Sequence, residues 1–343
     1  MAVKPHQYAA AKGVHLASQF RTIHYGLGAI GLAVLKLAAS KERVRPVAAI
    51  DIAPEIAGRD AGEVAGLGRP LDVTVSADAG AALATSADAV IHCTGSYLDA
   101  VQPQLLAAVR AGKNVISTCE ELSYPWDRHP DLAADLDREA KAHGVTVLGT
   151  GVNPGFVMDT LVLALSGVCQ EIAHVTAVRV VDVSTRRIQL QRKVGAGLSI
   201  DDFQRRVGER TLRHVGLDES ARLIAAGLGW KLERAEETLE PVVAADGAAA
   251  GVHQTARAWM DGREVLLLDL VMSMGASDPR DEIIIEGRPP LNVVIRGGVQ
   301  GDLATAAIAV NAIPVVVDAA PGLVTMADLP LIAAFDVATH GQT

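Results

Sequence analysis

The sequence predicts an α/β protein in which a doubly wound parallel sheet is followed by a mixed α+β region. Three observations carry that prediction. Short apolar strand patterns alternate with helix patterns from about residue 20 to residue 150. A glycine-rich turn, Gly26-Leu27-Gly28-Ala29-Ile30-Gly31, separates the first strand from the first helix. Beyond residue 155 the order changes to longer, more charged strands in series, with helices grouped apart. Alternation builds a parallel sheet covered on both faces, whereas strands in series build a mixed sheet.

Taken in order, 21–25 reads as an extended segment and 32–38 as an apolar helix. A second strand, 47–50, ends directly on Asp51, twenty residues past Gly31. In a dinucleotide fold the first glycine makes the tight turn, the second lets the backbone approach a pyrophosphate, and the third lets helix and strand pack closely. The phosphates then rest on the free N–H groups at the start of that helix. Asp51 falls where a carboxylate accepts hydrogen bonds from ribose hydroxyls. The first region is therefore expected to be a Rossmann-type domain for a nicotinamide dinucleotide, with Gly26, Gly28, Ala29, Ile30 and Asp51 as contacts. Asp51 would repel a ribose phosphate and so favours NAD, while Arg59 nearby leaves room for NADP.

The stretch 54–62 is turn-rich, 73–75 reads as a short strand, and an alanine-rich helix runs to about residue 85. The apolar strand 87–94 ends on the polar tip Thr94-Gly95-Ser96, placed where loops at the carboxyl ends of parallel strands meet a ligand. A helix over 101–111 is closed by Gly112, and the next strand, 114–121, ends on Cys119-Glu120-Glu121. A helix over 132–143 stops at Gly144, and 145–148 is a further strand. After Gly149-Thr150-Gly151-Val152-Asn153-Pro154-Gly155 come a helix over 157–165 and strands over 172–183, 251–260, 264–273 and 281–296. Two helices, 200–213 and 218–228, lie between them. The tail offers an apolar helix over 301–311 and the short segments 314–317 and 321–326. The expected domains are 20–155 completed by 300–343, then 156–299 for substrate and dimerisation, with 1–19 as an N-terminal arm. The cleft should lie between the two domains.

Composition narrows the function. Half of the 343 residues are hydrophobic and 21% are charged, which excludes wholesale disorder. A net charge of −9 without any Lys/Arg block argues against nucleic acid as a partner. Three scattered cysteines give neither a disulfide framework nor a zinc site, and no metal pattern is apparent. No apolar run is read as a membrane span and the first twenty residues lack a signal-peptide pattern, so a cytoplasmic protein is expected. The long apolar strands of the second region predict a homodimer that covers one sheet face.

Glu120 and Glu121 stand at a strand tip on the side where the nicotinamide should lie. Such a pair either caps a turn or supplies a general base whose pKa burial raises. Adjacent residues of an extended segment point to opposite sides, so one of the two should face the cleft. Thr94, Gly95, Ser96, Cys119 and Asn153 join the glycine loop as expected cofactor contacts. The backbone amides of Asn153-Pro154-Gly155, at the expected start of a helix, could anchor a carboxamide. Arg179, Arg186 and Arg187 could hold a substrate carboxylate or be solvated strand ends. Lys193 is a candidate amine or phosphate contact, and His253 a candidate substrate contact or an ordinary strand histidine.

Several runs carry a resemblance: Gly26 to Gly31, Ser117-Thr118-Cys119-Glu120-Glu121-Leu122-Ser123-Tyr124-Pro125, and Gly149-Thr150-Gly151-Val152-Asn153-Pro154-Gly155-Phe156. Gln189-Leu190-Gln191-Arg192-Lys193-Val194-Gly195-Ala196-Gly197-Leu198, Gly251-Val252-His253-Gln254 and Gly297-Gly298-Val299-Gln300-Gly301-Asp302 extend it. From about residue 20 to 335 the chain resembles the 2,4-diaminopentanoate dehydrogenase family and the related native amine dehydrogenases. Its fold is also similar to that of dihydrodipicolinate reductases, but the His-His pair of those enzymes is absent, which argues against their chemistry. The resemblance implies NAD(P)-dependent interconversion of a primary amine with a ketone or aldehyde and ammonia. It also implies that a glutamate of the Cys-Glu-Glu motif is the acid–base group. Glu120, directly after the strand tip, is preferred, with Glu121 in reserve. Two alternatives stay open: an amino-acid type dehydrogenase whose substrate keeps a carboxylate, and a non-catalytic dinucleotide-sensing protein.

Overall fold

Apolar strand patterns and glycine stops divide the chain into two sheets in a computed structural model, which describes residues 19–184, 186, 188–209 and 211–336. Residues 1–18 of the expected arm, and Arg187, lie outside the described residues. The first half contains β1 (Phe20–Tyr25), α1 (Ala29–Ser40), β2 (Val44–Ile50), α2 (Ala61–Val64), β3 (Val75–Ser76), α3 (Ala79–Leu83), β4 (Ala89–His92), α4 (Leu98–Arg110) and β5 (Asn114–Ser117). A 3-10 turn, Glu120–Ser123, precedes α5 (Pro130–His143), β6 (Thr146–Gly149) and α6 (Thr160–Ser166). There follow β7 (Glu171–Asp182), α7 (Ile188–Lys193), α8 (Ile200–Gly208), α9 (Leu217–Leu228), β8 (Arg234–Val243), β9 (Ala249–Met260), β10 (Arg263–Ser273), β11 (Arg280–Arg288) and β12 (Leu291–Arg296). The chain closes with α10 (Gly301–Asn311), α11 (Ile313–Asp318) and β13 (Gly322–Val324).

The first sheet has seven strands in the order β13-β6-β5-β4-β1-β2-β3, and every neighbouring pair is parallel. The chain moves outward from β1 to β3, then crosses back to β4 beside β1. That switch point opens a crevice at the carboxyl ends of β1 and β4, where ligands of such sheets bind. One face of the sheet is covered by α4 and α5 through Leu105, Val109, Leu136 and Ala140. The other is covered by α1, α10 and α11 through Val34, Ala38, Ala309, Ile313 and Val316.

The second sheet has six strands in the order β12-β11-β7-β10-β9-β8. Only β7 and β10 run parallel; the other pairs are antiparallel. Its inner face packs on α8 and α9 through Phe203, Leu217, Ile224, Leu266, Leu268 and Leu270. Strand alternation puts Val178, Val180, Leu267, Val271 and Ile284 on the opposite face, where all are half-buried.

Several boundaries differ from the sequence reading. The strand expected over 281–296 is a hairpin, β11 and β12, broken at Pro289-Pro290, since proline cannot donate to a ladder. The edge strand β8 was not expected: its Glu-rich sequence and Pro241 hide the strand pattern, and only an edge tolerates them. The helix expected from 157 begins at Thr160, and the one expected to 213 ends at Gly208. Contrary to the expectation that no run is apolar enough, the stretch Gly301–Asp318 could cross a membrane by length and composition. It divides into α10 and α11, with Pro314 in the first turn of α11, and packs on α1, β5 and β6 as a core element.

Candidate active site

The carboxyl ends of β1, β4, β5 and β6 face the inner side of β7 and β10 across a cleft of about 330 Å³. On the first-sheet side the glycine turn sets its shape. Gly26 has φ +88°, and a Cβ there would come within 2.7 Å of the Cys93 carbonyl oxygen. A Cβ on Gly31 would run into the Gly26 carbonyl, so this glycine is required for α1 to close on β1. At Gly28 a Cβ would meet nothing within 4 Å. Gly28 is also the N-cap of α1 and has no side chain to satisfy the first helical amides. Gly28, Ala29 and Ile30 all line the cleft. A pyrophosphate fits this cradle of free N–H groups at a helix start. Gly26 and Asp51 stand behind the lining. Asp51 Oδ2 accepts from Leu27 N–H at 2.6 Å and Oδ1 from Ala53 N–H at 2.9 Å, which braces the loop against β2. Each oxygen keeps a second lone pair for a ribose hydroxyl.

Thr94, Gly95 and Ser96 line the cleft at the tip of β4. Thr94 is held by His92 and Gln104, its Oγ1 lying 2.8 Å from His92 Nε2 and 2.6 Å from Gln104 Oε1. Beside them, the two glutamates separate. Glu120 lines the cleft with its side chain one-fifth exposed, whereas Glu121 turns into the protein. Glu121 Oε2 accepts from Leu98 N–H at 2.9 Å and lies 2.9 Å from His129 Nε2, tying the turn to the start of α4. One glutamate faces the cleft, as expected, but the 3-10 turn rather than an extended segment separates them. Burial raises the pKa of Glu120; the Lys193 ammonium opposes that rise, and Ser96 adds a smaller lowering contribution. Cys119 is a correction. Its side chain is fully buried in the core with Leu98 and Leu122, and it is not part of the lining.

Asn153 lines the cleft, with its Nδ2 3.2 Å from His214 Nε2. The expected anchor of backbone amides is not there. Helix α6 starts five residues later than Gly155, whose N–H is spent on Asp159 Oδ2 at 2.7 Å. Asp159 is fully buried and also accepts from Thr160 N–H and Ser220 Oγ–H.

The second-sheet side is lined by Arg179, Val181, Arg186, Leu190, Lys193, His214, Leu270 and Met272. Arg179 is buried, donating from Nη1 to Asp281 Oδ1 at 2.8 Å and from Nη2 to the Val299 carbonyl at 2.7 Å. Arg186 Nη2 lies 3.4 Å from Asp302 Oδ2, and Lys193 Nζ lies 4.0 Å from Glu120 Oε1. His253 is a second correction. It sits on the outer face of the sheet, 2.8 Å from Asp269 Oδ1, because side chains alternate along β9 and Gln254 takes the inner face.

Sequence reasoning missed His214. Burial pushes its pKa down to about 3, so the ring is neutral. Gln254 grips its backbone on both sides, Oε1 accepting from His214 N–H at 2.9 Å and Nε2 donating to its carbonyl at 2.8 Å. Gly216, at φ +112°, is needed where this turn packs on Pro154 and Glu120: a Cβ added there would run into Pro154 Cδ and lie 3.2 Å from Glu120 Cβ. His214 stands two residues before the glycine that precedes α9, and nothing in the local sequence says which tip that turn meets.

The sequence profile of the 2,4-diaminopentanoate dehydrogenase C-terminal domain matches residues 156–342. The chain is 35% identical over 277 residues to the 2,4-diaminopentanoate dehydrogenase of Acetoanaerobium sticklandii, covering 76% of this chain and 78% of that protein. It is 26% identical to an amine dehydrogenase of Streptomyces virginiae, over 90% of this chain and 96% of that one. Its fold is similar to the solved amine dehydrogenase of Mycobacterium smegmatis, with a TM-score of 0.83, 27% identity, and coverage of 94% and 99% of the two chains. The chain belongs to the 2,4-diaminopentanoate dehydrogenase family, a family of oxidoreductases.

Proposed function

We propose that this protein is a nicotinamide-dependent amine dehydrogenase that interconverts a primary amine with a ketone or aldehyde and ammonia. The observation that carries this reading is Glu120: a carboxylate of raised pKa in the cleft, between the glycine turn and an apolar wall of Val181, Leu190, Leu270 and Met272. When bound, the nicotinamide exchanges a hydride with the substrate carbon. The chain's part is to move protons and hold charge. In the amination direction Glu120 takes a proton from ammonium so that ammonia can attack the carbonyl. It then returns the proton to the departing hydroxyl and offsets the charge of the resulting iminium in a water-poor cleft. In the oxidative direction it deprotonates the substrate ammonium, releases that proton to solvent, and, again a carboxylate, takes a proton from the water that attacks the iminium. A carboxyl group whose pKa burial raises suits both transfers.

The charge pattern favours a substrate without a carboxylate. Arg179 does reach the cleft, which an amino-acid substrate would require, but its guanidinium is already engaged by Asp281 and the Val299 carbonyl. Arg186 has Asp302 beside it. A 2,4-diaminopentanoate-type substrate is the second reading, supported by the presence of both arginines in the lining. The test is a spectrophotometric screen of simple primary amines and of 2,4-diaminopentanoate with NAD⁺ and NADP⁺ at alkaline pH. Higher kcat/KM for simple amines supports the first reading, the reverse supports the second, and no turnover with either class contradicts both. We further propose NAD over NADP, from the position of Asp51, and a homodimer that covers the half-buried outer face of the second sheet. Sedimentation at micromolar protein giving only a species near the 35.7 kDa chain mass would end the dimer proposal.

A further inference from the structure

We propose that Lys193 is a positioning residue that sets the protonation of Glu120 across the cleft; this rests on Glu120 being the acid–base group. Charged and titratable groups face Glu120 from each surrounding element. Glu121, next to it in the turn, is directed at Leu98 N–H and His129, with Arg128 beyond. Ser96, from the tip of β4, is neutral, and so is Asn153 after β6. His214, on the turn before α9, is held neutral by burial, and Arg213 behind it faces Glu237 of β8. Arg179 of β7 is matched by Asp281 of β11, and Arg186 by Asp302 of α10. Lys193, the last residue of α7, is the cleft cation whose ion-pair partner is Glu120 itself, at 4.0 Å.

The two side chains come from opposite walls. Glu120 is carried by the first sheet and is one-fifth exposed, and Lys193 reaches over from α7 with its side chain 45% exposed. A positive charge at this distance favours the carboxylate over the carboxyl form, against the burial that favours the neutral form. Lys193 thus keeps a buried acid from rising too far to serve as a base. Because Lys193 is half in solvent, its removal leaves no buried cavity and should not unfold the chain.

The experiment is the pH dependence of kcat for oxidative deamination by the full-length enzyme, at saturating NAD⁺ and a saturating simple primary amine, for wild type, Lys193→Arg, Lys193→Met and Glu120→Gln. In this direction Glu120 acts as a base, so activity is lost as pH falls through its pKa. Removing the neighbouring charge raises that pKa, and the acidic limb of Lys193→Met is expected to move upward by roughly one pH unit. Lys193→Arg keeps the charge and should keep the limb in place. A Lys193→Met limb at the wild-type position, with kcat either unchanged or uniformly reduced, overturns the inference while Glu120→Gln remains strongly impaired. If Glu120→Gln itself retains full activity and the wild-type limb, the acid–base reading fails as well, so the two failures are distinguishable.

Discussion

On the first-sheet side the cleft is shaped by tight turns at strand tips, through Gly28, Gly95, Thr150 and Gly151; on the second-sheet side it is lined by long side chains, through Arg179, Arg186, Lys193 and His214. The first wall is specified by spacing along the chain, since a turn needs its glycines at fixed offsets and a helix start supplies N–H groups whatever follows. The second is specified by register. Arg179 meets Asp281 only because β7 pairs with β11 across 102 residues of sequence, and His214 meets Asn153 only through the turn at Gly216. A wall of backbone should tolerate changes of side chain but not of space. A wall of paired charges should fail when one partner is removed.

The largest effect is expected at the buried pair. Asp281→Ala leaves the Arg179 guanidinium without its counterion inside the second wall, a loss of about 3–5 kcal/mol. Urea denaturation should show it, and an unchanged midpoint would mean that the pair does not hold the wall. On the first wall the contrast is steric. Gly31→Ala meets the Gly26 carbonyl and should cost about 3 kcal/mol and abolish NADH binding, whereas Gly28→Ala should fold normally and weaken NADH binding only. Equal urea midpoints for the two variants would break the comparison.

A smaller effect follows from two buried histidines of the first sheet. Burial holds His24 at about 3 and His92 at about 4, against an ordinary value of 6.5. Both are neutral in the fold, while the unfolded chain takes up protons below about 6.5. The stability they contribute is present above that pH and lost as pH falls toward the folded values. Between pH 7 and pH 5 each should cost about 2 kcal/mol, visible as a falling thermal midpoint that His92→Gln moderates. The smallest effect is expected at Asp51. Asp51→Ala should narrow the preference for NAD over NADP by about tenfold, and comparable kcat/KM values for both cofactors in the wild type would remove Asp51 as a discriminator.

This contrast also explains what was legible in the sequence. The glycine turn, the tips at Thr94 and Glu120, and the strand–helix alternation are all local patterns, and the structure brings Gly28, Ala29, Ile30, Thr94, Gly95, Ser96, Glu120 and Asn153 into one lining. Cys119 is expected among the cofactor contacts at the strand tip, but it is fully buried in the core just before the 3-10 turn. His253 was chosen on a strand where the face could not be read without the register, and Gln254 is the residue on the inner side. His214 and the Asp281 partner of Arg179 carry no local signal, because their roles exist only once distant segments pack. The edge strand β8 was hidden for a related reason: its charged residues satisfy solvent on one face and carry little periodicity.

The central claim is that Glu120 is the proton-transfer group, and kcat with a primary amine and NAD⁺ for Glu120→Gln and Glu121→Gln tests it most directly, with NADH binding measured on the same samples. Glu120→Gln should bind NADH like wild type and turn over roughly 10²-fold more slowly or worse. Glu121→Gln should keep more activity while losing stability, since Glu121 holds Leu98 N–H and His129 rather than the cleft. Near-wild-type turnover by Glu120→Gln would contradict the account, and a dead Glu121→Gln beside it would transfer the role to the neighbouring carboxylate.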